Sequence, residues 1–494
     1  MSDGGDSIHS VAQDVAPERT TAGRPVTGYP AAVERLRAEF AALPADQPVR
    51  LAKKTSNLFR PRERSARAGL DVSGLDHVFE IDPERRTAYV GGMTTYERLV
   101  DATLAHGLMP TVVPQLKTIT LGGALTGLGI ESSSWRAGLP HEAALSFDVL
   151  TGAGEIVRAT PDGPDAELFR VFPNSYGTLG YAAAATIELT PVHPYVRLRH
   201  VRFTDLDALG AAIADLVRGA QDGRASWDGE PVDFIDGSVF PTPPDADGPA
   251  LEAFLTLGTW ADNAPYTSDY TGQDVYYRSV RSRREDWLTV RDYLWRWDTD
   301  WFWCSRALGV QNPRIRRWVP KQYLRSDVYQ RIIGLENRYH VKARMDARKG
   351  LPERERVVQD VEIPVERTAD FLRWFIDTVP IEPIWLCPLR LSRPAPTADG
   401  TWPLYPLGPD SLYVNVGFWS TVPIAAGDQD GDVNRRIEAK VAELDGHKSL
   451  YSDSYYEPEE FWQLYGRAEY EAAKRRYDPD ERLLDLYDKA VRRR

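Results

Sequence analysis

Residues 121–129, LGGALTGLG, set four glycines among apolar residues and constrain the fold more than any other stretch of the chain. Glycine adopts backbone conformations closed to other residues and lets the main chain approach a neighbour or a ligand closely. No Gly-Lys-Ser/Thr follows, which excludes a P-loop, and the run does not open a helix as GxGxxG within a βαβ unit. Spacing alone predicts a tight structural turn. The surroundings add chemistry: Ile130 is followed by Glu131, Ser132, Ser133, Ser134, Trp135, Arg136, Ala137 and Gly138, which sets a carboxylate and three hydroxyls beside the glycine-lined surface. Further on, Ser175, Tyr176, Gly177, Thr178, Leu179 and Gly180 form a second small-residue turn before an apolar strand. Two such turns in one unit fit a large, mostly buried cofactor.

The elements around these turns are short. HVFEID and TAYVGG read as strands joined at Pro83, TTYERLVDATLAHG as a helix between a threonine and Gly107, and LMPTVV as a further strand. FDVLTG and GEIVRAT read as strands, AELFRVF as a helix and YAAAATIELT as an apolar strand. Short strands mixed with short helices predict an α+β fold, not a regularly alternating doubly wound sheet. Residues 1–27 hold few large apolar groups and read as a disordered tail, whereas residues 29–43 space Val33, Leu36, Phe40 and Leu43 as a docking helix.

A unit over residues 28–193 is therefore expected. A second α+β unit follows over 194–455, with strands RLRHVRF and FLTLGTWA, helix DALGAAIADLVRG and a surface excursion at FPTPPDADGP. Residues 456–494 read as two helices separated at Asp478-Pro479, returning to the first unit.

At 494 residues the chain is long enough for two to four domains. A formal net charge of −12 argues against a nucleic-acid binder held by bulk charge. Cys304 and Cys387 are the only cysteines, too few for a disulfide scaffold or a closed cysteine zinc site, so no metal is expected and a reducing compartment is. The N-terminus lacks the basic start and apolar run of a secretion signal, and charges interrupt every later apolar stretch. A cytoplasmic protein is expected, touching a membrane only peripherally. Residues 287–325, rich in tryptophan and arginine, have two readings. They form a cap core whose arginines reach to water, or a rim for lipid phosphate headgroups built from Arg314, Arg316, Arg317, Lys321 and Arg325 with Trp318 and Tyr323.

The ordered segments TITLGGALTGLGIESSSWRAGLPHE, FDVLTGAGEIVRATP and ELFRVFPNSYGTLGYAAAATIELTPVHPYVRLR resemble the PCMH-type FAD-binding domain of the vanillyl-alcohol oxidase superfamily. Within it, a GIESSS segment after the glycine run resembles the Δ24-sterol reductase group. The likeness continues in VVQDVEIP, EPIWLCPLRL, LYVNVGF and YSDSYYEPEEFWQLY, and so covers most of the chain beyond about residue 50. It implies two α+β subdomains gripping FAD beneath a cap domain. It also implies FAD contacts from Lys54, Thr55, Ser56 and Asn57 in the first pyrophosphate loop, and from Gln115, Thr118, Thr120, Gly122, Gly123, Gly127, Gly129, Ser132, Ser133, Ser134, Gly138, Gly177 and Gly180. Lys53 and Lys54 would add positive charge. The loop over residues 51–60 has no histidine where oxidases of the superfamily often link the flavin, so noncovalent FAD is expected.

Reducing an isolated C=C needs a hydride at one carbon and a proton at the other, the cofactor supplying the first and the protein any proton. The resemblance gives Glu131, Gln359, Asp360 and Tyr470 as candidate acids or active-site groups, with His340 and Lys342 as further possibilities. In the strand-like VVQDVEIP, alternation sends Gln359 and Val361 to one face and Asp360 and Glu362 to the other; Gln359 is the favoured member. Cys387, flanked by apolar groups, reads as a small core residue. The resemblance implies an alkene reductase drawing hydride from NADPH through FAD. The missing membrane segment and a Lys-poor, Arg-rich composition point to the bacterial reductases of methyl-branched fatty acid synthesis, which saturate a 10-methylene acyl phospholipid made by a methyltransferase. A Δ24-sterol-type reductase, an alcohol or hydroxy-acid oxidase or dehydrogenase, and a flavin-free lipid-binding protein are the alternatives.

Overall fold

The computed structural model describes residues 28–492 apart from 46, 54–68, 221–223, 243–249, 340–343, 345–347 and 349. The expected tail and most of the FPTPPDADGP excursion lie outside the described residues, as do His340 and Lys342. Helices and antiparallel sheets are mixed along the chain, an α+β fold of PCMH type.

The first sheet is built from β1 (Val78–Asp82), β2 (Thr87–Gly91), β3 (Leu108–Pro110), β4 (Ala144–Leu150), β5 (Ile156–Ala159) and β6 (Tyr181–Pro191). Its order is β1-β2-β6-β4-β5, with β3 also pairing with β6 and every pairing antiparallel. The alanines of β6 explain its central place: Ala182, Ala183, Ala184 and Ala185 are all buried, and their small side chains let flanking elements approach closely. The glycine run is not a bare turn. It forms a six-residue helix, Leu121–Thr126, because Thr120 caps it by accepting from the Gly123 N–H at 3.2 Å and Leu121, Ala124 and Leu125 bury into the core. A Cβ at Gly122 would stand 2.8 Å from the Gly92 carbonyl oxygen, so glycine there lets this helix lie against the sheet.

The second sheet comprises β7 (Tyr195–Phe203), β10 (Phe234–Pro241), β11 (Leu251–Ala261), β12 (Glu285–Thr289), β13 (Arg354–Pro364), β14 (Ile384–Leu389), β15 (Tyr413–Pro423) and β16 (His447–Lys448). The small hairpin β8 (Ala225–Trp227) and β9 (Glu230–Val232) stands apart. The eight strands run β12-β7-β11-β10-β14-β15-β13-β16, again antiparallel throughout. Helices Leu206–Arg218, Thr368–Thr378 and Asp432–Glu443 cover one face, where Val357, Val361, Val414, Val416 and Phe418 pack into their apolar sides. The opposite face, with Trp385, Cys387, Leu389 and Trp419, shares one continuous core with the first sheet.

The C-terminal segment forms three helices, Pro458–Leu464, Arg467–Tyr477 and Leu486–Ala490, that lie against the first sheet's neighbourhood. Gly466, at a φ of 22°, breaks the first of the two expected helices. The return is fixed by Lys474, whose ammonium donates to the Thr178 carbonyl at 2.9 Å, and by the Arg476–Asp165 pair at 3.0 Å.

Candidate active site

The strand register puts chemistry on the face of the second sheet that looks toward the first. Side chains alternate along β13, so Asp360 and Glu362 share a face while Gln359 and Val361 take the other. Asp360 lies opposite Gly417 of β15, which lies opposite Trp385 of β14. One step along, His447, Glu362, Asn415 and Cys387 form a second row across four strands. A Cβ at Gly417 would meet Trp419 Cη2 at 2.7 Å, Trp385 Cε3 at 3.1 Å and the Asp360 carboxylate, so the missing side chain lets these three converge.

Asp360 is deep in the protein yet keeps part of its surface accessible, as do Val358 and Arg356 on the same face, while their alternate neighbours Val357 and Gln359 are sealed. This face of β13 therefore keeps some accessible surface while the other is closed. Burial holds the Asp360 carboxyl at about 7, against the pull of hydrogen bonds from Asn415 and Tyr451. The Asn415 amide donates to Asp360 Oδ1 at 3.3 Å, and Trp419 Nε1 donates to the Tyr451 hydroxyl at 2.9 Å. Glu362 is more enclosed; both its oxygens and the Tyr405 hydroxyl are buried without a well-aligned hydrogen bond. Burial raises its carboxyl well above the carboxylate range, and the charge on Asp360 adds to that. His447, its ring 4.7 Å from that of Tyr405 and 4.9 Å from that of Tyr465, is pushed down by burial to about 3 and stays neutral. Two carboxyls whose affinity for a proton is raised by burial in an aromatic setting are suited to holding and releasing one.

The first sheet meets this cluster through Tyr176, held at a φ of 51°. Its hydroxyl accepts from the Leu450 N–H at 3.0 Å, and its ring edge stands 3.4 Å from where a Cβ of Gly127 would be. The two small-residue turns and the carboxyl cluster are thereby joined.

A second buried network ties the units together beside it. Ser132 Oγ donates to Glu131 Oε1 at 2.8 Å and lies 2.5 Å from the Tyr293 hydroxyl. The Arg296 guanidinium sits 4.0 Å over the Tyr293 ring and pairs with Asp236 at 2.8 Å. Asp236 also accepts from Trp297 Nε1 at 3.2 Å and Trp385 Nε1 at 3.5 Å, which brings this network to the edge of the Asp360 row. Burial raises the Glu131 carboxyl, opposed by Arg296, and Glu131 Oε2 has no hydrogen bond. The backbone of the same segment joins the sheets: Ile235 N–H donates to the Ser132 carbonyl at 2.8 Å and Arg390 N–H to the Ser134 carbonyl at 3.3 Å.

Comparison with known proteins fits this geometry. Residues 28–160 match the FAD binding domain family. This part of the chain is similar to an FAD-binding domain. Over a longer span the chain is 26% identical to the Delta(24)-sterol reductase of Arabidopsis thaliana, covering 87% of this chain and 78% of that protein. It is 25% identical to the human Delta(24)-sterol reductase, covering 84% and 76%. A shorter likeness, 34% identity covering 25% of this chain and 26% of the other, is to decaprenylphosphoryl-beta-D-ribose oxidase of Mycolicibacterium smegmatis. The chain is thus similar to an FAD-binding domain over its first part and has oxidoreductase relatives.

The residues present fit FAD at one cradle above all. Among the described residues, a Cβ at Gly123 would meet only Thr120 Oγ1 at 3.0 Å and the Lys53 ammonium at 4.0 Å. A bare glycine face under a cation suits a diphosphate, and Lys53 leads directly into the first expected pyrophosphate loop. Lys54, Thr55, Ser56 and Asn57 of that loop lie outside the described residues. Gln115 is buried with an amide nitrogen that has no partner, which leaves a donor for the cofactor; Thr118 is buried nearby in sequence.

Other expected contacts are engaged by the protein itself. A Cβ would meet Gly123 O at 2.7 Å from Gly127, Pro114 Cγ at 2.6 Å from Gly129, Tyr181 Cε1 at 3.1 Å from Gly177, and Leu150 O at 2.7 Å from Gly180. At Gly138 it would strike the Glu142 carboxylate. The hydroxyls of Ser132, Ser133 and Ser134 bond to Glu131 and Tyr293, to the Thr111 carbonyl and to the Glu131 N–H. The side chains of this segment are a domain joint.

Two of the acid candidates need correction. Gln359, favoured from the sequence, points to the helix-covered face and donates to the Asn434 side chain. Strand alternation alone leaves the choice of face open; the apolar backs of the helices fixed it. Tyr470 is a structural anchor, its hydroxyl accepting from the Leu486 N–H at 2.9 Å. Cys387 is fully buried, as a core residue should be. Sequence reading missed Asn415, Tyr405, Tyr451, His447, Tyr293, Arg296 and Asp236. The alternation in LYVNVGFW carried a signal for Asn415 and Trp419; the others come together only through the fold.

Proposed function

We propose that this protein is an FAD-dependent reductase of an isolated carbon–carbon double bond in a lipid, with NADPH as the hydride donor. The observation that carries the reading is Asp360: a carboxyl raised by burial to about 7, partly accessible and set beside Trp385 and Trp419, is a proton donor suited to an apolar substrate. FAD, when bound, supplies the transfer of two electrons and hydride between nicotinamide and alkene carbon. Asn415 and Tyr451 orient the Asp360 carboxyl, the indoles keep water away from it, and Asp360 gives its proton to the second alkene carbon. The net change is one hydride and one proton added across the double bond, with NADPH oxidised to NADP⁺. Glu362, on the same strand face and with its carboxyl raised by burial, resists adding a second charge to the site after that transfer.

The leading substrate is a 10-methylene acyl phospholipid, reduced to the 10-methyl form after a methyltransferase has acted; it rests on the resemblance of the GIESSS-containing segments. A Δ24-sterol-type substrate is the second reading, supported by the sterol reductase relatives that span most of the chain. Purified FAD-loaded protein with NADPH and each lipid in turn, followed by mass spectrometry, separates them. The saturated 10-methyl product is expected. Product only from the sterol transfers the reading to the second substrate, and anaerobic flavin reduction by NADPH with no alkene reduced by either would defeat both.

A further inference from the structure

The segment over residues 306–332 breaks the pattern of the rest of the surface. The tryptophan-rich stretch just before it is core: Trp295, Trp297, Trp301 and Trp303 are buried, and within the segment Arg316 is a buried partner of Asp300 at 2.7 Å. Beyond that point apolar side chains turn outward. Ile315 is 46% exposed, Trp318 77%, Tyr323 48% and Ile332 43%. Among the described residues seven large hydrophobics are exposed, and these four fall within eighteen positions, a local concentration of exposed apolar area.

The charge of the segment is also unlike the whole. Residues 306–332 carry seven arginines and lysines against one carboxylate, Asp327, in a chain of net charge −12. That carboxylate is already held by Arg325 and Arg331. Arg314 and Arg317 are exposed with no carboxylate partner among the described residues, and Arg317 lies 5.4 Å over the Trp318 ring. Lys321, paired with Asp269, completes the rim. A tryptophan and a tyrosine with aliphatic neighbours, bordered by arginines, match the interface of a bilayer with anionic headgroups: apolar tips enter the acyl boundary while the guanidiniums meet phosphate. A water-facing role gives Trp318 no benefit for its exposed apolar area.

The patch is also wired to the interior. Gln311, at its base, donates to the Trp303 carbonyl at 3.3 Å, and Trp303 Nε1 donates to the Trp419 carbonyl at 3.0 Å, beside Tyr451 and Asp360.

We propose that Ile315, Trp318, Tyr323 and Ile332, framed by Arg314 and Arg317, dock the protein onto the surface of an anionic phospholipid bilayer. Docking here does not depend on which lipid the active site reduces. The test is co-sedimentation of the full FAD-loaded chain with vesicles of phosphatidylcholine alone or mixed with phosphatidylglycerol in about equal parts. Wild type should pellet with the anionic vesicles, more weakly as salt rises. I315S/W318S should lower the bound fraction about tenfold, and R314E/R317E should abolish the preference for the anionic vesicles. Leu145→Ser, at an exposed apolar site elsewhere, should change nothing. Unchanged melting temperatures show that the variants are folded. Absence of wild-type binding, or equal binding by the patch variants, overturns the proposal. So does a self-association that I315S/W318S removes while vesicles bind nothing, because the patch would then be a protein interface.

Discussion

Replacing Asp360 by asparagine keeps the shape of the side chain and removes its titration. Burial places its carboxyl at about 7 in the folded protein, against about 3.9 in an unfolded chain. The folded state therefore holds more protons than the unfolded state between those values, and stability must fall as pH rises through that window. From pH 5 to pH 8 the two values give a loss of about 2.5 kcal/mol, an upper figure because Asp360 keeps some accessible surface. D360N lacks this loss. The assay is urea unfolding of wild type and D360N at both pH values, taken as a double difference so that all other groups cancel. A double difference of about 1.5–2.5 kcal/mol, wild type losing more, is expected. The same variant removes the proposed proton donor and should lower alkene reduction at every pH, its residual rate no longer declining above about pH 7, while leaving anaerobic flavin reduction by NADPH intact. A double difference under about 0.5 kcal/mol would refute the claim that Asp360 is held protonated by its surroundings.

Three further outcomes follow from the same structure. Arg296→Met strands the buried Asp236 carboxylate and should cost about 3–5 kcal/mol in urea unfolding, with R296M/D236N recovering part of it. Gly417→Ala drives a methyl group into Asp360, Trp419 and Trp385 and should destabilise by about 1–3 kcal/mol while lowering kcat more than it raises KM for NADPH. Lys53→Ala removes the cation over the Gly123 face and should weaken FAD binding about tenfold by fluorescence titration, with Lys53→Arg restoring most of it; unchanged affinity would remove the diphosphate from that cradle.

Much of this protein is local in its sequence. β2, β4, β6 and β7 and the helix Leu206–Arg218 fall where alternation, apolar runs and turn residues put them, because each reports the burial of its own few neighbours. The pairing of Asp360 with Glu362 on one face follows from the two-residue period of an extended strand. The glycine run misled in part: its spacing reads as a turn, whereas Thr120 and three buried apolar side chains make a short capped helix of it. Serines next to a carboxylate likewise read as ligand contacts, but the same hydroxyls satisfy groups brought in from Tyr293 and Thr111.

The sequence by itself determined the α+β class and the faces of individual strands, since periodicity and turn chemistry act over a few residues, while its ordered motifs carried the likeness to an FAD-binding domain. Only the tertiary structure decided which face of β13 looks inward, and it alone set Tyr405, Asn415, His447 and Tyr451 around two carboxyls from three separate strands and two loops. Those carboxyls hold their protons because distant segments together exclude water, and desolvation is a property of the assembled surroundings that no short stretch of residues carries.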